Sequence, residues 1–137
     1  MRLREEVISE LVRRWFNRAD ADFGVAELLT AKVRYLSAVG FYTQQAAEKY
    51  LKAYLTEHQI EFPKTHSIKE LLNLVALKDR PLAESLRSAD VLSPYGADIR
   101  YPGDIPDLTL EMARAAVAEA ARLRRAICAS LGRPPSA

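Results

Sequence analysis

The chain has 137 residues with 20 basic and 18 acidic side chains, a net charge of +2. One domain with its own core is expected at this length, and so slight a charge does not call for nucleic acid as partner. One cysteine, Cys128, and two histidines, His58 and His66, leave no material for a disulfide framework, a cysteine-based zinc site or a multi-histidine relay.

The first helical pattern runs from about Glu5 to Val33. Ile8, Val12, Trp15, Ala19, Ala26 and Leu29 share one stripe, with Leu11 and Phe23 on its flanks. The opening residues mix acidic and apolar side chains and do not read as a leader segment. Asp22 interrupts the stripe, seven residues from Trp15 and seven from Leu29. A carboxylate there needs a cation or several donors, and Arg100, Lys49 and the tyrosine hydroxyls are the candidates. It forms either a structural polar pair or part of a ligand-facing pocket.

The second helix is expected over Ser37 to His58. Val39, Ala46, Ala47, Tyr50, Leu51, Ala53 and Tyr54 make a wide apolar arc, while Gln45, Glu48, Lys49 and Lys52 occupy the opposite face. Glu48 and Lys52 stand at the favourable i,i+4 spacing. Gln44, Gln45, Glu48 and Lys49 read as a solvated face, a subunit interface or a polar site.

Pro63 closes the next loop, and Ser67 with Glu70 spells a capping box for a short third helix burying Ile68, Leu71, Leu72 and Val75. His66, beside that start, is a capping or packing residue or a functional one. A fourth helix is expected over "PLAESLRSADVL", opened by Pro81. The segment "ADIRYPGDIP" follows, holding Arg100 and Tyr101 among prolines and glycines. The last helix runs from about Leu108 to Leu131, capped by Asp107 or Thr109 and stopped by Gly132. Met112, Ala116, Ala120, Leu123 and Ile127 line one face, and Cys128 reads as inert core. Arg122, Arg124 and Arg125 either complement the helix dipole or bind phosphate. Residues 132–137 read as a frayed tail.

No strand pattern, repeat, glycine-rich phosphate loop, nucleophile elbow or metal-binding helix pair occurs. The expectation is all-α: one domain, core about 5–131, built as an antiparallel up-and-down bundle of four to five helices. No apolar run is long enough for a membrane span, so a cytoplasmic protein without cofactor or metal is expected.

Four segments, "RADADFGVAELL", "GFYTQQAAEKYLKAYL", "PKTHSIKELL" and "DIRYPG", resemble the HEPN domain family from about Trp15 to Leu131. The resemblance implies a bundle of about five helices that dimerises and partners a minimal nucleotidyltransferase. Such pairs form two-component modules similar to toxin–antitoxin systems, in which the HEPN half is often a metal-independent ribonuclease. Those ribonucleases carry an arginine followed, after four to six residues, by a histidine. Here the positions after Arg100 are Ile105, Pro106 and Asp107. Those before His58 are Leu51, Lys52 and Ala53, and those before His66 are Gln59, Ile60 and Glu61.

The expectation is therefore a non-catalytic, dimeric, nucleotide- or substrate-binding partner of a nucleotidyltransferase, with Asp22, Gln45, Lys49, His66, Arg100 and Tyr101 as binding residues. A ribonuclease acting on RNA through Arg100, Tyr101 and His66 is the alternative. A homodimeric scaffold without a small ligand is the third reading.

Overall fold

The structure, a computed structural model, describes residues 3–96 and 107–134. Helix α1 spans Arg4–Leu29 and α2 spans Leu36–Glu57, joined through a single 3₁₀ turn at Val33–Tyr35. Helix α3 covers Ile68–Lys78 and α4 covers Arg80–Ser85. A 3₁₀ segment at Arg87–Gly96 follows, and α5 at Leu110–Ser130 completes the bundle. Among the described residues no strand occurs, as the periodicity predicts. Segment 97–106, with Arg100 and Tyr101, lies outside the described residues.

Helix α2 is the axis of the bundle: α1, α3, α5 and the 3₁₀ segment all pack on it. Tyr50, Tyr54, Leu51 and Leu55 of α2 are fully buried, together with Phe16 of α1, Leu71 and Leu72 of α3, and Leu123 and Ile127 of α5. A smaller cluster at the other end joins Ala26, Leu36, Val39, Leu108 and Ala113. A Cβ at position 40 would stand 2.9 Å from the Tyr95 ring and 3.0 Å from Leu108, so Gly40 is what lets both residues lie against α2.

Local signals are borne out at most helix ends. Thr109, rather than Asp107, caps α5, its hydroxyl accepting the Met112 N–H at 3.1 Å. Gly132, at φ 63°, ends that helix in the left-handed conformation. Ser67 caps α3 through the Glu70 N–H, but the reciprocal half of the box is relayed. The Ser67 N–H donates to the Thr65 hydroxyl, which donates to the Glu70 carboxylate.

Three expectations are corrected. The core column of α1 is Val12, Phe16, Ala19, Phe23 and Ala26, so the helix is rolled relative to the stripe through Trp15 and Asp22. Burying two phenylalanines removes more apolar area from water than burying one tryptophan beside a carboxylate, and the roll moves Asp22 to the rim. Met112 is likewise 38% exposed, its expected place taken by Ala113. The expected fourth helix is split into α4 and the 3₁₀ segment. Leu86, Ala89, Leu92 and Tyr95 recur at every third residue, a period that a three-residue turn aligns in one column.

Candidate functional site

The polar face expected on α2 is largely interior. Thr43 and Gln44 are fully buried, Glu48 is 3% exposed and Lys52 8%. Because α2 is enclosed by its neighbours, even the side opposite its main apolar arc faces protein. Burial of a carboxylate and an ammonium is tolerable only when each is paired and hydrogen-bonded.

Glu48 meets that condition from three directions. Lys52 Nζ donates to its Oε1 at 2.7 Å, one helical turn along. His66 Nδ1 lies 3.1 Å from Oε1 and 3.2 Å from Oε2, and Gln44 Nε2 donates to Oε2 at 3.2 Å. An ionised carboxylate only accepts, so Nδ1 carries a proton in this contact, which in the neutral ring leaves the lone pair on Nε2. The His66 side chain is 69% exposed while Glu48 is enclosed. The pair therefore presents an oriented imidazole at the surface, backed by an interior carboxylate.

The helix supplies Gln44, Glu48 and Lys52 at i, i+4 and i+8, and the loop ahead of α3 supplies the histidine. Gln44 Nε2 also donates to the His66 carbonyl at 3.0 Å, pinning that loop to α2. Gln45 Nε2 donates to Gln44 Oε1 at 2.9 Å. At the far side, a Cβ on Gly96 would come 2.5 Å from Gln44 Cδ, so the end of the 3₁₀ segment also rests on this glutamine. Lys52 is flanked by aromatic rings, 5.6 Å from the centre of Trp15 and 5.9 Å from that of Phe62.

Asp22 accepts from Lys49 Nζ, joining α1 to α2. Of the partners considered for Asp22, Lys49 is therefore the one the described residues supply. Its carboxylate is 17% exposed and the lysine side chain 23%, a rim pair rather than a buried one. Coupling of about 1 kcal/mol is expected from a double-mutant cycle of Asp22→Ala and Lys49→Ala in urea unfolding. Strictly additive losses would contradict it.

A second polar group joins three helices. The Tyr50 hydroxyl, on a ring 0% exposed, donates to Asp20 Oδ1, and Arg124 Nε donates to the same oxygen at 3.1 Å. Burial, then the bond to Asp20, pushes the Tyr50 hydroxyl far above the ordinary tyrosine range. Beside it is a cavity of about 310 Å³ lined by Phe16, Asp20, Arg124, Cys128, Arg133 and Pro134. Burial also raises the Cys128 thiol, in line with an unreactive core cysteine.

Two arginines of the α5 cluster are held by partners within the fold. Arg124 is taken by Asp20, while Arg122 donates to Glu119 at 2.6 Å and to the Ser85 carbonyl at 2.8 Å. Among the described residues every buried side-chain nitrogen or oxygen has a hydrogen-bond partner, and no group of three or more His, Cys, Asp and Glu converges to hold a metal.

Of the residues expected to form a site, Gln45 and His66 converge on the Gln44–Glu48 cluster, and Asp22 and Lys49 pair separately. Arg100 and Tyr101 lie outside the described residues. The centre of the cluster is Glu48, which the sequence pattern sets opposite the main apolar arc of α2, as part of a solvated face, a subunit interface or a polar site. Its one sequence signal is the run of Gln44, Glu48 and Lys52 at four-residue steps on a helix whose apolar arc is already wide. Asp20 carried no periodic signal. The need of buried Tyr50 for a hydroxyl partner is what would have pointed to it.

The family model for the HEPN domain matches residues 12–131. No curated protein matches the chain. No solved structure matches it. Among the described residues no helix is long and apolar enough to cross a membrane.

Proposed function

Because the chain belongs to the HEPN domain family, we propose that it acts as a dimeric, non-catalytic partner of a minimal nucleotidyltransferase in a two-component, toxin–antitoxin-like module of the cytoplasm. In this reading the HEPN domain contributes a binding surface for a nucleotide or substrate beside the partner's active site. The observation that carries it is in the sequence: neither histidine follows an arginine at the spacing of the family's ribonucleases. Metal-independent RNA cleavage needs one group to move the 2′-hydroxyl proton and another to stabilise charge on the phosphorane. The polar side chains of α2 support the same reading, since Glu48, Lys52 and Gln44 are satisfied by one another. The exposed imidazole of His66, beside the half-buried Gln45, offers hydrogen bonds suited to a ribose or a base.

One observation favours a second reading, a ribonuclease with a non-standard site. The Glu48–His66 contact turns Nδ1 of an exposed imidazole toward the carboxylate, so that in the neutral ring the lone pair is on Nε2, the form a general base requires. Arg100 or Tyr101 would then have to supply the charge-stabilising group.

Two measurements separate these readings. Purified chain incubated with mixed cellular RNA, with and without EDTA, is expected to leave the RNA intact, and a small nucleotidyltransferase is expected to co-purify with the chain from its native host. Cleavage that disappears in His66→Ala or Arg100→Ala would overturn the first reading in favour of the second.

A further inference from the structure

The first half of α1 is poorly covered by the rest of the bundle. Its buried residues begin only at Val12, leaving the first two turns with Ile8 alone packed against the core cluster. On the outward side Leu3, Val7 and Leu11 are 63%, 41% and 42% exposed, one apolar stripe at four-residue steps. Beyond them Leu11, Arg14, Trp15 and Arg18 enclose a hollow of about 180 Å³. These positions are i, i+3, i+4 and i+7, the set that receives one side chain of a facing helix. Leu11 and the half-buried Trp15 line it with apolar surface, and the two arginine stems are apolar along their length.

The charges on this face are predominantly basic. At 3.6 residues per turn, Arg4, Arg14 and Arg18 project within the same roughly one-third of the helix surface as Leu3, Val7, Leu11 and Trp15. Glu5, Glu6 and Arg13 project away from it. Glu10 stands at its edge and accepts from Arg14 at 3.0 Å, and Asp22, further along, is taken by Lys49. Arg4 and Arg18 are exposed and have no hydrogen-bond or ion-pair partner among the described residues. Unbalanced positive charge therefore flanks the stripe at both ends, Arg4 beside Leu3 and Arg18 beyond Trp15.

We propose that this face of α1 docks an acidic amphipathic helix of a partner protein. Such a helix lays its apolar edge along Leu3, Val7 and Leu11 and inserts one large aliphatic side chain into the hollow beside Trp15. Its flanking carboxylates meet Arg4 and Arg18, whose guanidinium forks suit bidentate pairing. From Leu3 to Arg18 the face is about 22 Å long, the length of about fifteen residues of a partner helix. The occupant is defined by this chemistry and does not depend on the nucleotidyltransferase reading above.

Other occupants fit less well. A second copy of α1 would bring Arg4, Arg14 and Arg18 against one another. Nucleic acid would find aliphatic side chains along most of the face, with Trp15 alone offering a ring on which a base can stack. A lipid surface takes up apolar side chains that protrude, whereas Trp15 is set back in the hollow, its ring 6.2 Å from that of Phe62.

Trp15 is the only tryptophan of the chain, so its emission reports on the hollow directly. The probe is a synthetic helical peptide of about eighteen residues, free of tryptophan and tyrosine, with leucines at three- and four-residue steps flanked by glutamates. Titrated into the full chain, it is expected to shift Trp15 emission to the blue with a micromolar Kd, and to bind more weakly as salt screens the arginines. Leu11→Glu and Arg18→Glu are each expected to raise that Kd about tenfold or more. Arg13→Glu, the same change of charge placed off the face, should leave it within about twofold. Helix content by circular dichroism should stay constant in all three, since these side chains are exposed in the chain. No shift with peptide up to about 1 mM would overturn the proposal. Equal weakening by Arg13→Glu would also overturn it, because diffuse attraction would then account for the binding, as would equal binding of a peptide with its leucines scrambled. A blue shift with phosphatidylserine vesicles or oligouridylate, where the peptide gives none, would overturn it and assign the face to lipid or nucleic acid.

Discussion

Glu48→Ala is expected to destabilise the protein by about 3–5 kcal/mol, the range for breaking a buried ion pair from one side. The carboxylate accepts from Lys52, His66 and Gln44. Without it the Lys52 ammonium, on a side chain 10% exposed, is left between Trp15 and Phe62 with no anion to balance its desolvation. The rings offset only part of that cost, because at 5.6 and 5.9 Å both lie near the outer limit of about 6 Å for a cation–π contact. Replacing both partners, as in Glu48→Leu with Lys52→Met, removes the charges together and should cost clearly less than the sum of the single changes. Urea unfolding of the four proteins measures this. A Glu48→Ala loss below about 1 kcal/mol, within the range of exposed pairs, would show that water reaches the cluster and that its burial is not what holds it.

Stability above pH 10 is expected to fall more steeply than an exposed tyrosine would allow, and Tyr50→Phe should flatten that fall. Burial and the bond to Asp20 raise the Tyr50 hydroxyl in the folded protein, whereas the unfolded chain releases the proton near the ordinary value of about 10. The stabilisation tied to this proton is therefore complete below pH 10. It is lost as pH rises, because the unfolded state then binds fewer protons than the native one. The slope is about 1.4 kcal/mol per pH unit from this group alone. Tyr54 is also raised, by burial and then by Asp79, and adds to the total. The informative quantity is accordingly the difference between wild type and Tyr50→Phe. At neutral pH the variant should lose about 1 kcal/mol for the missing hydrogen bond. By about pH 11.5 the two curves should have met or crossed, given that slope. Parallel curves would mean that the hydroxyl is not held in its neutral form by the fold.

Much of the bundle can be read from local chemistry. The Ser67 cap, the Gly132 stop and the apolar faces of α3 and, Met112 apart, of α5 depend on residues within a few positions of one another, and the structure bears them out. Where local patterns offered two solutions, the choice was collective. The stripe through Trp15 and the column through Phe16 are both legible on α1. The bundle takes the column that buries Phe16 against Tyr50, their rings 5.8 Å apart.

The candidate site was legible only in pieces. Gln45, Lys49 and His66 stand out as polar residues near helix faces and starts, and Asp22 as a carboxylate close to an apolar stripe. Beyond the four-residue run of Gln44, Glu48 and Lys52, nothing local distinguishes Glu48 from a solvated glutamate, because the segments that enclose this run are distant in sequence. His66 stands eighteen residues from Glu48, Gly96 rests on Gln44, and Trp15 flanks Lys52 from another helix.

By itself the sequence determined what depends on neighbours in the chain: an all-helical fold, most of the helix ends, the lack of an arginine–histidine pair at ribonuclease spacing, and the family. The tertiary structure alone decided which polar residues leave water. Packing α1, α3, α5 and the 3₁₀ segment around α2 turned Gln44, Glu48 and Lys52 from an outer face into an interior network. Rolling α1 onto its phenylalanines left Asp22 at the rim with Lys49 and Asp20 beneath Tyr50 and Arg124. The reason is that burial is a property of the assembled bundle: a charge's desolvation, and the partner that offsets it, exist only once distant segments have packed around it.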